Sequence, residues 1–265
     1  MVLQEIFIYP IKSLGGIKLD SWFLEEKGFR YDRRWMLVDK SGMFLSQRKY
    51  PQMALLQVKL SDEGLLVSHK HQDSHELLVP YETKASKTIA VTIWDDKVDA
   101  DLVGQQYSSW FSEQLGIECD LVLMPEHVKR KVNPKYAVAD EAVSFADGMP
   151  YLLIGEGSLE DLNQRLDEPV GMERFRPNLV VSGTAPFEED NWLEIAIGEA
   201  VFKITKPCAR CVMTTVNQDT AEKGKEPLKT LAAYRTVNGK VMFGQNMSLW
   251  SGVRLRVGDE VIVKK

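Results

Sequence analysis

A two-residue alternation of apolar and other side chains, interrupted by turn residues, is the strongest constraint on the fold of this chain. The stretches 89–93 and 201–205 are rich in β-branched and aromatic residues, and a third alternation runs through 254–263 with a turn at Gly258-Asp259. Two earlier hairpins are predicted around Lys40-Ser41-Gly42 and Asp62-Glu63-Gly64. Many short strands separated by turn residues favour barrel or sandwich packing over a doubly wound parallel sheet. We therefore predict a mainly β (α+β) fold.

Helical periodicity is confined to three segments. The first lies between Gly104 and Gly116, with its aromatic residues on one face. The second is predicted to start at Ser158, because this hydroxyl precedes the carboxylate of Asp161 by three residues, as in a capping box. A shorter third helix is predicted from Pro227. Their apolar stripes are interpreted as packing surfaces rather than cofactor sites.

Composition narrows the functional classes. The 265 residues carry 33 Lys+Arg against 38 Asp+Glu, a net charge of −5, which argues against bulk electrostatic binding to nucleic acid or anionic membranes. No apolar run approaches the roughly 20 residues of a membrane helix, and the N-terminus does not resemble a secretory signal. Three cysteines do not form a disulfide framework. We expect a cytoplasmic protein, with a domain boundary near Met124-Pro125.

Two cysteines three residues apart, Cys208 and Cys211, are the sharpest local feature. A structural zinc site needs four protein ligands, and the remaining cysteine is Cys119. A thioredoxin-like motif requires a helix after the cysteines, whereas residues 212–216 favour a strand. Arg210 is expected to lie beside Cys211, where a guanidinium favours the thiolate that binds soft metals. From residue types alone, two ordinary buried cysteines and a reactive or metal-binding thiol stay equally open.

Histidines give a weaker indication of a metal site. His69, His71 and His75 lie in one polar hairpin. No cysteine or carboxylate cluster accompanies them at a recognised spacing. A solvated turn is therefore the better interpretation.

Cations near strand ends suggest anion binding without a strong motif. The chain has neither a P-loop nor a dinucleotide-binding glycine motif. The segment 9–16 ends a strand with Lys12, Ser13 and two glycines, a turn that can present N–H groups to an anion. The segments 32–35 and 174–178 add arginines beside aromatic residues. Each segment taken singly is better explained by solvated charges.

Taken in order, these segments resemble one known family along essentially the whole chain. The N-terminal β-barrel domain that precedes MOSC domains is similar at Tyr9-Pro10-Ile11-Lys12-Ser13 and Asp32-Arg33-Arg34-Trp35. The MOSC domain, the molybdenum-cofactor sulfurase C-terminal type, is similar at Phe175-Arg176-Pro177-Asn178, Cys208-Ala209-Arg210-Cys211, Glu226-Pro227-Leu228 and Phe243-Gly244-Gln245-Asn246. The resemblance extends to amidoxime-reducing members of the family. It implies an N-terminal β-barrel-like domain at 1–124, packed with a MOSC β-barrel domain at 125–265.

The resemblance implies a mononuclear molybdenum centre held by a molybdopterin and one protein thiolate. Cys211 is the implied molybdenum ligand and catalytic residue, and Cys208 is not a ligand. The cofactor's phosphate would be held by Lys12, Ser13 and Arg33. The other implied cofactor-binding residues are Asp147, Gly148, Met149, Arg176, Asn178, Ala209, Arg210 and Asn246.

The implied reaction is a two-electron reduction of an N-hydroxylated compound to the amine, with release of water. Hydroxylamines, amidoximes and hydroxylated bases are the implied substrates. Some bacterial relatives append a ferredoxin-type iron–sulfur domain, and this chain reaches Lys265 without one. We therefore expect an external electron-donor protein of ferredoxin or flavin type as partner, with no nucleic acid, membrane or pyridoxal phosphate.

Two segments depart from the family pattern. After its two threonines the family often continues Asp-Pro-x-Thr-Gly, whereas this chain reads Asn217-Gln218-Asp219-Thr220-Ala221. The position of Met149 can carry serine, which provides a side-chain hydrogen bond that methionine lacks. We expect the loop and this contact to differ here.

Two other functions stay open at the level of sequence. A sulfur- or molybdenum-cofactor-carrier module would have the same fold and the same Cys211 without turnover. A zinc-binding or thiol-redox protein would use Cys208 with Cys211, and would show stoichiometric zinc or a reversible disulfide.

Overall fold

The computed structural model describes residues 1–72, 76–82 and 87–264 and shows a mainly β protein, as predicted. Its described residues form 21 strands and three α-helices. The elements of the first half are β1 (Val2–Ile8), β2 (Ile17–Leu19), β3 (Ser21–Glu25), β4 (Gly28–Phe29), β5 (Trp35–Val38), β6 (Leu56–Leu60), β7 (Gly64–His69), β8 (Leu77–Pro80), β9 (Thr88–Ile93), β10 (Asp96–Leu102), α1 (Gln105–Leu115) and β11 (Asp120–Leu123).

The second half continues the same numbering. Its elements are β12 (Arg130–Lys131), β13 (Ala142–Val143), β14 (Tyr151–Gly155), α2 (Glu156–Asn163), β15 (Leu179–Ser182), β16 (Glu194–Ile197), β17 (Ala200–Arg210), α3 (Leu228–Tyr234), β18 (Thr236–Val237), β19 (Lys240–Ser251), β20 (Arg254–Arg256) and β21 (Val261–Lys264). Short 3-10 segments lie at Pro51–Leu55, Met172–Arg174, Glu188–Asn191 and Val212–Thr215.

One large sheet organises the molecule and includes strands from both halves. Its order is β2-β1-β15-β14-β19-β17-β16-β21, with β18 paired to β19. All its pairs are antiparallel except β14 with β15. The first strand of the chain is therefore part of the sheet that the second half builds. The predicted domain boundary at 124/125 stays a prediction.

The first half contributes smaller sheets around a second core. They have the orders β5-β11-β10-β9 and β6-β7-β8, and α1 packs on β11. Phe111 and Leu115 of α1 are buried in this core together with Trp35. Strand β11 pairs with β5 and is the last strand of the first half, after which the chain continues into the second half.

Most predicted strands and turns are confirmed, with one exception in their pairing. The strand at 89–93 lies in β9, that at 201–205 lies in β17, and the turn at Asp62-Glu63-Gly64 joins β6 to β7. The turn at Lys40-Ser41-Gly42 is also present. The residues after it do not form a described strand and make only isolated β-bridges, at Met43 and Phe44.

The turn predicted at Gly258-Asp259 exists, but the alternating segments on its two sides do not pair with each other. Strand β20 pairs with β3, whereas β21 pairs with β16. Leu255 and Val261 are buried in the same core from these two sheets. Burial of both side chains therefore outweighs local pairing across the turn.

The three helices occur where the pattern placed them, with one error at an end. Gly104 and Gly116 flank α1, and Gly116 has the left-handed φ of +66° that ends many helices. The helix predicted to start at Ser158 begins instead at Glu156, and Ser158 does not cap it. The Oγ atom of Ser158 lies 2.8 Å from both carboxylate oxygens of the buried Glu189. The Ser158 hydroxyl therefore bonds to Glu189, which is distant in the chain, instead of capping the backbone of the helix.

No described helix is long and apolar enough to cross a membrane.

The segment after the cysteines differs from the prediction. Residues 212–216 were predicted to favour a strand, but Val212–Thr215 form one turn of 3-10 helix that starts immediately after Cys211. Strand β17 ends at Arg210, so Cys211 lies at the junction of the two elements.

The main core makes a direct stability prediction. Phe202 of β17 is fully buried against Tyr151, whereas Phe23 of β3 is 37% exposed. We expect Phe202→Ala to lower the free energy of unfolding by about 3–5 kcal/mol through lost burial and a cavity. The same deletion at Phe23 should cost only about 1–2 kcal/mol, because its ring is partly exposed and is covered mainly by Arg30 and Arg254. Urea unfolding followed by circular dichroism measures both, and equal losses would contradict this account of the core.

Candidate functional site

A cavity of about 120 Å³ collects residues from both halves of the chain. It lies where the segment after β1 meets the end of β17 and the segments before β14 and β15. All the site residues predicted from the sequence line it, namely Lys12, Ser13, Arg33, Asp147, Gly148, Met149, Arg176, Asn178, Ala209, Arg210, Cys211 and Asn246. The roles assigned to these residues stay predictions.

The ring of Tyr9 contacts the guanidinium groups of two residues that line this cavity. The Cζ atoms of Arg33 and Arg176 lie 4.3 and 4.1 Å from its ring centroid. The Tyr9 hydroxyl donates to the carbonyl oxygen of Pro177 at 3.1 Å, and burial raises the pKa of this hydroxyl above its usual range. Because the ring stays neutral, it attracts both cations through its π face.

The buried Asp32 and Asn178 fix the direction of Arg33. Asp32 accepts hydrogen bonds from Tyr9 N at 2.7 Å and from Arg33 Nη1 at 2.5 Å. Asn178 Oδ1 accepts from Arg33 Nη1 at 3.2 Å and from Leu152 N at 3.2 Å, and its Nδ2 donates to a carbonyl of β1. Asn178 therefore braces Arg33 and β1 while it lines the cavity.

Three cavity residues have a backbone conformation that side chains disfavour. Among the described residues, eight non-glycine residues have positive φ, and Ser13, Arg33 and Arg176 are three of them, at +69°, +50° and +54°. Such conformations cost about 1 kcal/mol or more each and persist where the surroundings hold them. Their convergence on one cavity is typical of a functional site.

Lys12 is a buried cation with one carboxylate partner. Its Nζ donates to the carbonyl oxygen of Phe145 at 2.7 Å and to Asp147 Oδ1 at 2.6 Å. Burial lowers the pKa of Lys12 to about 8, although Asp147 opposes the shift. Desolvation opposes ionisation of Asp147, but the charge and hydrogen bond of Lys12, together with Arg48, hold its pKa well below the usual range.

The two cysteines face different arginines, and the prediction that Arg210 lies beside Cys211 is wrong. Arg210 Nη1 donates to Cys208 Sγ at 2.9 Å. Alternate residues of a strand share a face, which brings Arg210 to Cys208. The guanidinium that contacts Cys211 is that of Arg48, whose Nη1 lies 3.8 Å from Cys211 Sγ. Both cysteines are half-buried, so neither is an ordinary core cysteine.

Sequence reasoning missed Arg48 and Arg130. Arg48 lines the cavity, and its Cζ lies 4.0 Å from the ring centroid of Trp94. Arg130 is buried and donates to the carbonyl oxygens of Ser144 and Asp147, each at 3.0 Å, which holds the segment that carries Asp147. Neither arginine lies in a recognisable motif, and only the fold brings them here.

A wider groove of about 860 Å³ adjoins the cavity. The two share the lining residues Asp147, Gly148, Met149, Cys208, Ala209 and Asn246. Trp94 and Tyr136 line the groove, and Lys206 Nζ lies 4.0 Å from the ring centroid of Tyr136. The groove has the size of a typical small-molecule site.

The alternative metal-binding residues are placed elsewhere. Cys119 is buried in the core of the first half, where its backbone N–H donates to Ser112 Oγ. His69 and His71 lie at the end of β7, and His75 lies outside the described residues. In the ranges 1–72, 76–82 and 87–264, no three His, Cys, Asp or Glu side chains are grouped to hold a metal ion.

Two family models match this chain, one in each half. The family model of the MOSC N-terminal beta barrel domain matches residues 1–118, and that of the MOSC domain matches residues 140–262. Mitochondrial amidoxime-reducing component 1 of Mus musculus is 32% identical over 278 residues, which cover 98% of this chain and 81% of that protein. Mitochondrial amidoxime reducing component 2 of Rattus norvegicus is 32% identical over 279 residues, with 98% and 82% covered.

A second group of relatives is longer. Molybdenum cofactor sulfurase of Oryza sativa subsp. japonica is 35% identical over 262 residues, which cover 91% of this chain and 32% of that protein. The chain spans about a third of the length of such sulfurases.

The chain belongs to the MOSC-domain family and has the N-terminal β-barrel domain found with it. Its relatives in both groups are named for amidoxime reduction or for the molybdenum cofactor.

The charge of Lys12 generates a prediction for anion binding. Sulfate, a stable dianion, should bind the cofactor-free protein less tightly as pH rises through about 8, because Lys12 then loses its proton. The limiting slope is about tenfold in affinity per pH unit. Lys12→Gln should weaken binding and abolish this pH dependence.

Isothermal titration calorimetry between pH 6.5 and 9.5 measures the effect. Lys135→Gln is the matched control, since Lys135 is exposed and lies outside the cavity lining. An unchanged pH profile in Lys12→Gln would show that Lys12 does not bind the anion.

Proposed function

We propose that this protein is a molybdenum-cofactor-binding oxidoreductase that reduces N-hydroxylated compounds to amines with electrons from an external donor protein. The observation that carries the proposal is the convergence of the Cys211 thiol with the buried cations Lys12 and Arg176 in one cavity. A thiolate suits a sulfur-bound redox metal, and buried cations suit a phosphate. These are the two ends of a molybdopterin-bound molybdenum centre.

The residues present fit such a cofactor. Arg176 is buried and donates to the carbonyl oxygen of Leu14 at 2.7 Å, but it forms no ion pair with any described carboxylate. Burial lowers the pKa of Arg176 to about 10, which reflects a charge without a full counterion. The buried Nε of Arg210 has no hydrogen-bond partner among the described residues. A bound anion would compensate these cations.

The chain's own residues would bind and orient the cofactor. Lys12, Ser13 and Arg33 would hold its phosphate, since the loop after β1 and the segment before β5 bring a hydroxyl and two cations to the same cavity. Arg176 and Asn178 would contact its pterin, with Asn246 at another contact position. Cys211 would be the single protein ligand of the metal. When bound, the cofactor supplies the two-electron redox chemistry, which no side chain here provides.

The groove beside the cavity is the proposed path for a small N-hydroxylated substrate. It reaches the cavity at Cys208, Ala209 and Asp147. Hydroxylamines, amidoximes and hydroxylated bases all fit the proposal, and relatives named amidoxime-reducing components support it. The donor would be a ferredoxin- or flavin-type protein, and the cytoplasmic location stays a prediction.

The second candidate is a sulfur- or cofactor-carrier module without turnover. The match to molybdenum cofactor sulfurases, at 35% identity over 262 residues, favours it. It would use the same cavity and the same Cys211. The two candidates differ in whether amine is formed.

The deciding experiment compares the two cysteines. We expect wild-type protein, purified from a host that makes the cofactor, to contain near-stoichiometric molybdenum and pterin. It should also convert an aromatic amidoxime to the amidine with reduced viologen as donor. Cys211→Ser should lose metal and at least about 99% of turnover, because the single protein ligand is gone.

Cys208→Ser is the matched control and should keep much of both. Equal loss in the two variants would remove the assignment of Cys211 as ligand. Retained molybdenum and pterin without amine formation would favour the carrier module.

A further inference from the structure

The tight turn at residues 46–49 contacts the cavity at two separate points. Gln47 is fully buried, and its Nε2 donates to the carbonyl oxygen of Ser13 at 2.7 Å. The next residue, Arg48, directs Nη1 toward Cys211 Sγ at 3.8 Å. Two consecutive side chains of one turn thus contact Ser13 and Cys211. We name the loop of Lys12 and Ser13 the anion-binding loop, after its proposed role.

A segment of the second half holds this turn from outside. We name residues 217–223 the clasp. The side-chain amides of Gln218 and Gln47 exchange two hydrogen bonds, at 3.0 and 3.3 Å. Lys223 Nζ donates to the carbonyl oxygen of Arg48 at 2.8 Å. The clasp therefore contacts both residues of the turn that reach the site.

The clasp is itself anchored to the first half. Lys70 Nζ donates to the carbonyl oxygen of Gln218 at 3.1 Å and forms an ion pair with Asp219. His71 Nε2 lies 2.6 Å from the carbonyl oxygen of Asp219. The clasp also includes the stretch 217–221 at which the sequence departs from the family pattern.

The contact between Gln47 and Ser13 stabilises an unfavourable backbone conformation. Ser13 has a φ of +69°, which a serine keeps only where other contacts hold it. Gln47 supplies one such contact, and Gln218 fixes the amide of Gln47 in return. Buried amides held on both sides leave little rotational freedom.

We propose that the clasp is a positioning element of the site, which acts through Gln218 on the anion-binding loop and through Lys223 on Arg48. This inference rests on the proposed function for the identity of the cofactor. Neither clasp residue lines the cavity. Both therefore act through the residues of the turn.

Three variants of the full chain test the proposal. Gln218→Ala removes the amide pair, and Lys223→Met removes the contact to the Arg48 carbonyl. Thr220→Ala is the control within the clasp, because Thr220 is exposed and, among the described residues, its hydroxyl bonds only to Glu222. Two quantities are measured: the affinity of cofactor-free protein for inorganic sulfate, and the rate at which loaded protein loses molybdenum on dialysis.

The proposal expects a different pattern for each variant. Gln218→Ala should weaken sulfate binding and speed molybdenum loss, each about tenfold, as loss of an outer contact does at metal sites. Lys223→Met should speed molybdenum loss and leave sulfate affinity unchanged, since Arg48 reaches the sulfur end of the cavity. Thr220→Ala should match the wild type in both.

Thermal unfolding separates positioning from simple folding stability. In Gln218→Ala the rise in melting temperature on adding sulfate should shrink, because this rise reports ligand affinity. A drop in melting temperature with an unchanged sulfate affinity and molybdenum loss rate would overturn the proposal.

The remaining outcomes separate this inference from the proposed function. Wild-type protein without molybdenum and pterin would contradict the proposed function, and the sulfate measurement would then decide the role of Gln218. Equal effects of Gln218→Ala and Thr220→Ala would overturn the inference while leaving the cofactor assignment intact. Absence of sulfate binding in the wild type would also overturn it.

Discussion

The stacking of two guanidinium groups on Tyr9 is the interaction on which the site depends. Arg33 comes from the first half and Arg176 from the second, so the ring links cavity residues of the two halves. Two like charges this close repel unless other groups compensate them. Asp32 supplies part of that compensation through Arg33. Arg176 forms no ion pair with a described carboxylate, and its charge is the one that the proposed phosphate would compensate.

The same constraint explains why a net-acidic protein buries cations here. Lys12 and Arg176 are each more than nine-tenths buried, and desolvation lowers the pKa of both. A protein built for stability alone would place neutral groups at such positions. Contacts from the surrounding structure instead stabilise this site, and one of them is the hydrogen bond from Gln47 to Ser13, whose φ is positive. The proposed binding of a phosphate would use both buried cations.

The residues of the candidate site were identified from the resemblance to a known family rather than from local periodicity, and the errors of the local analysis have a common cause. Most of the cavity residues lie in segments next to strands, and the fold brings these segments together. The predicted neighbour of Cys211 was wrong, because strand geometry turns Arg210 toward Cys208. Arg48 lies 163 positions away in the chain from the cysteine it faces. No local pattern reports a contact over such a separation, and the misplaced helix start at Ser158 has the same origin in Glu189.

The sequence by itself determined the mainly β class and most of the strands and turns. Those properties follow from period-two burial and from turn chemistry, which act over a few residues. Tertiary structure alone decided that β20 and β21 pair with different strands, that Arg48 faces Cys211, and that the clasp reaches the turn at 46–49. These choices depend on burying side chains from distant segments in shared cores. That free energy is a property of the whole packed chain.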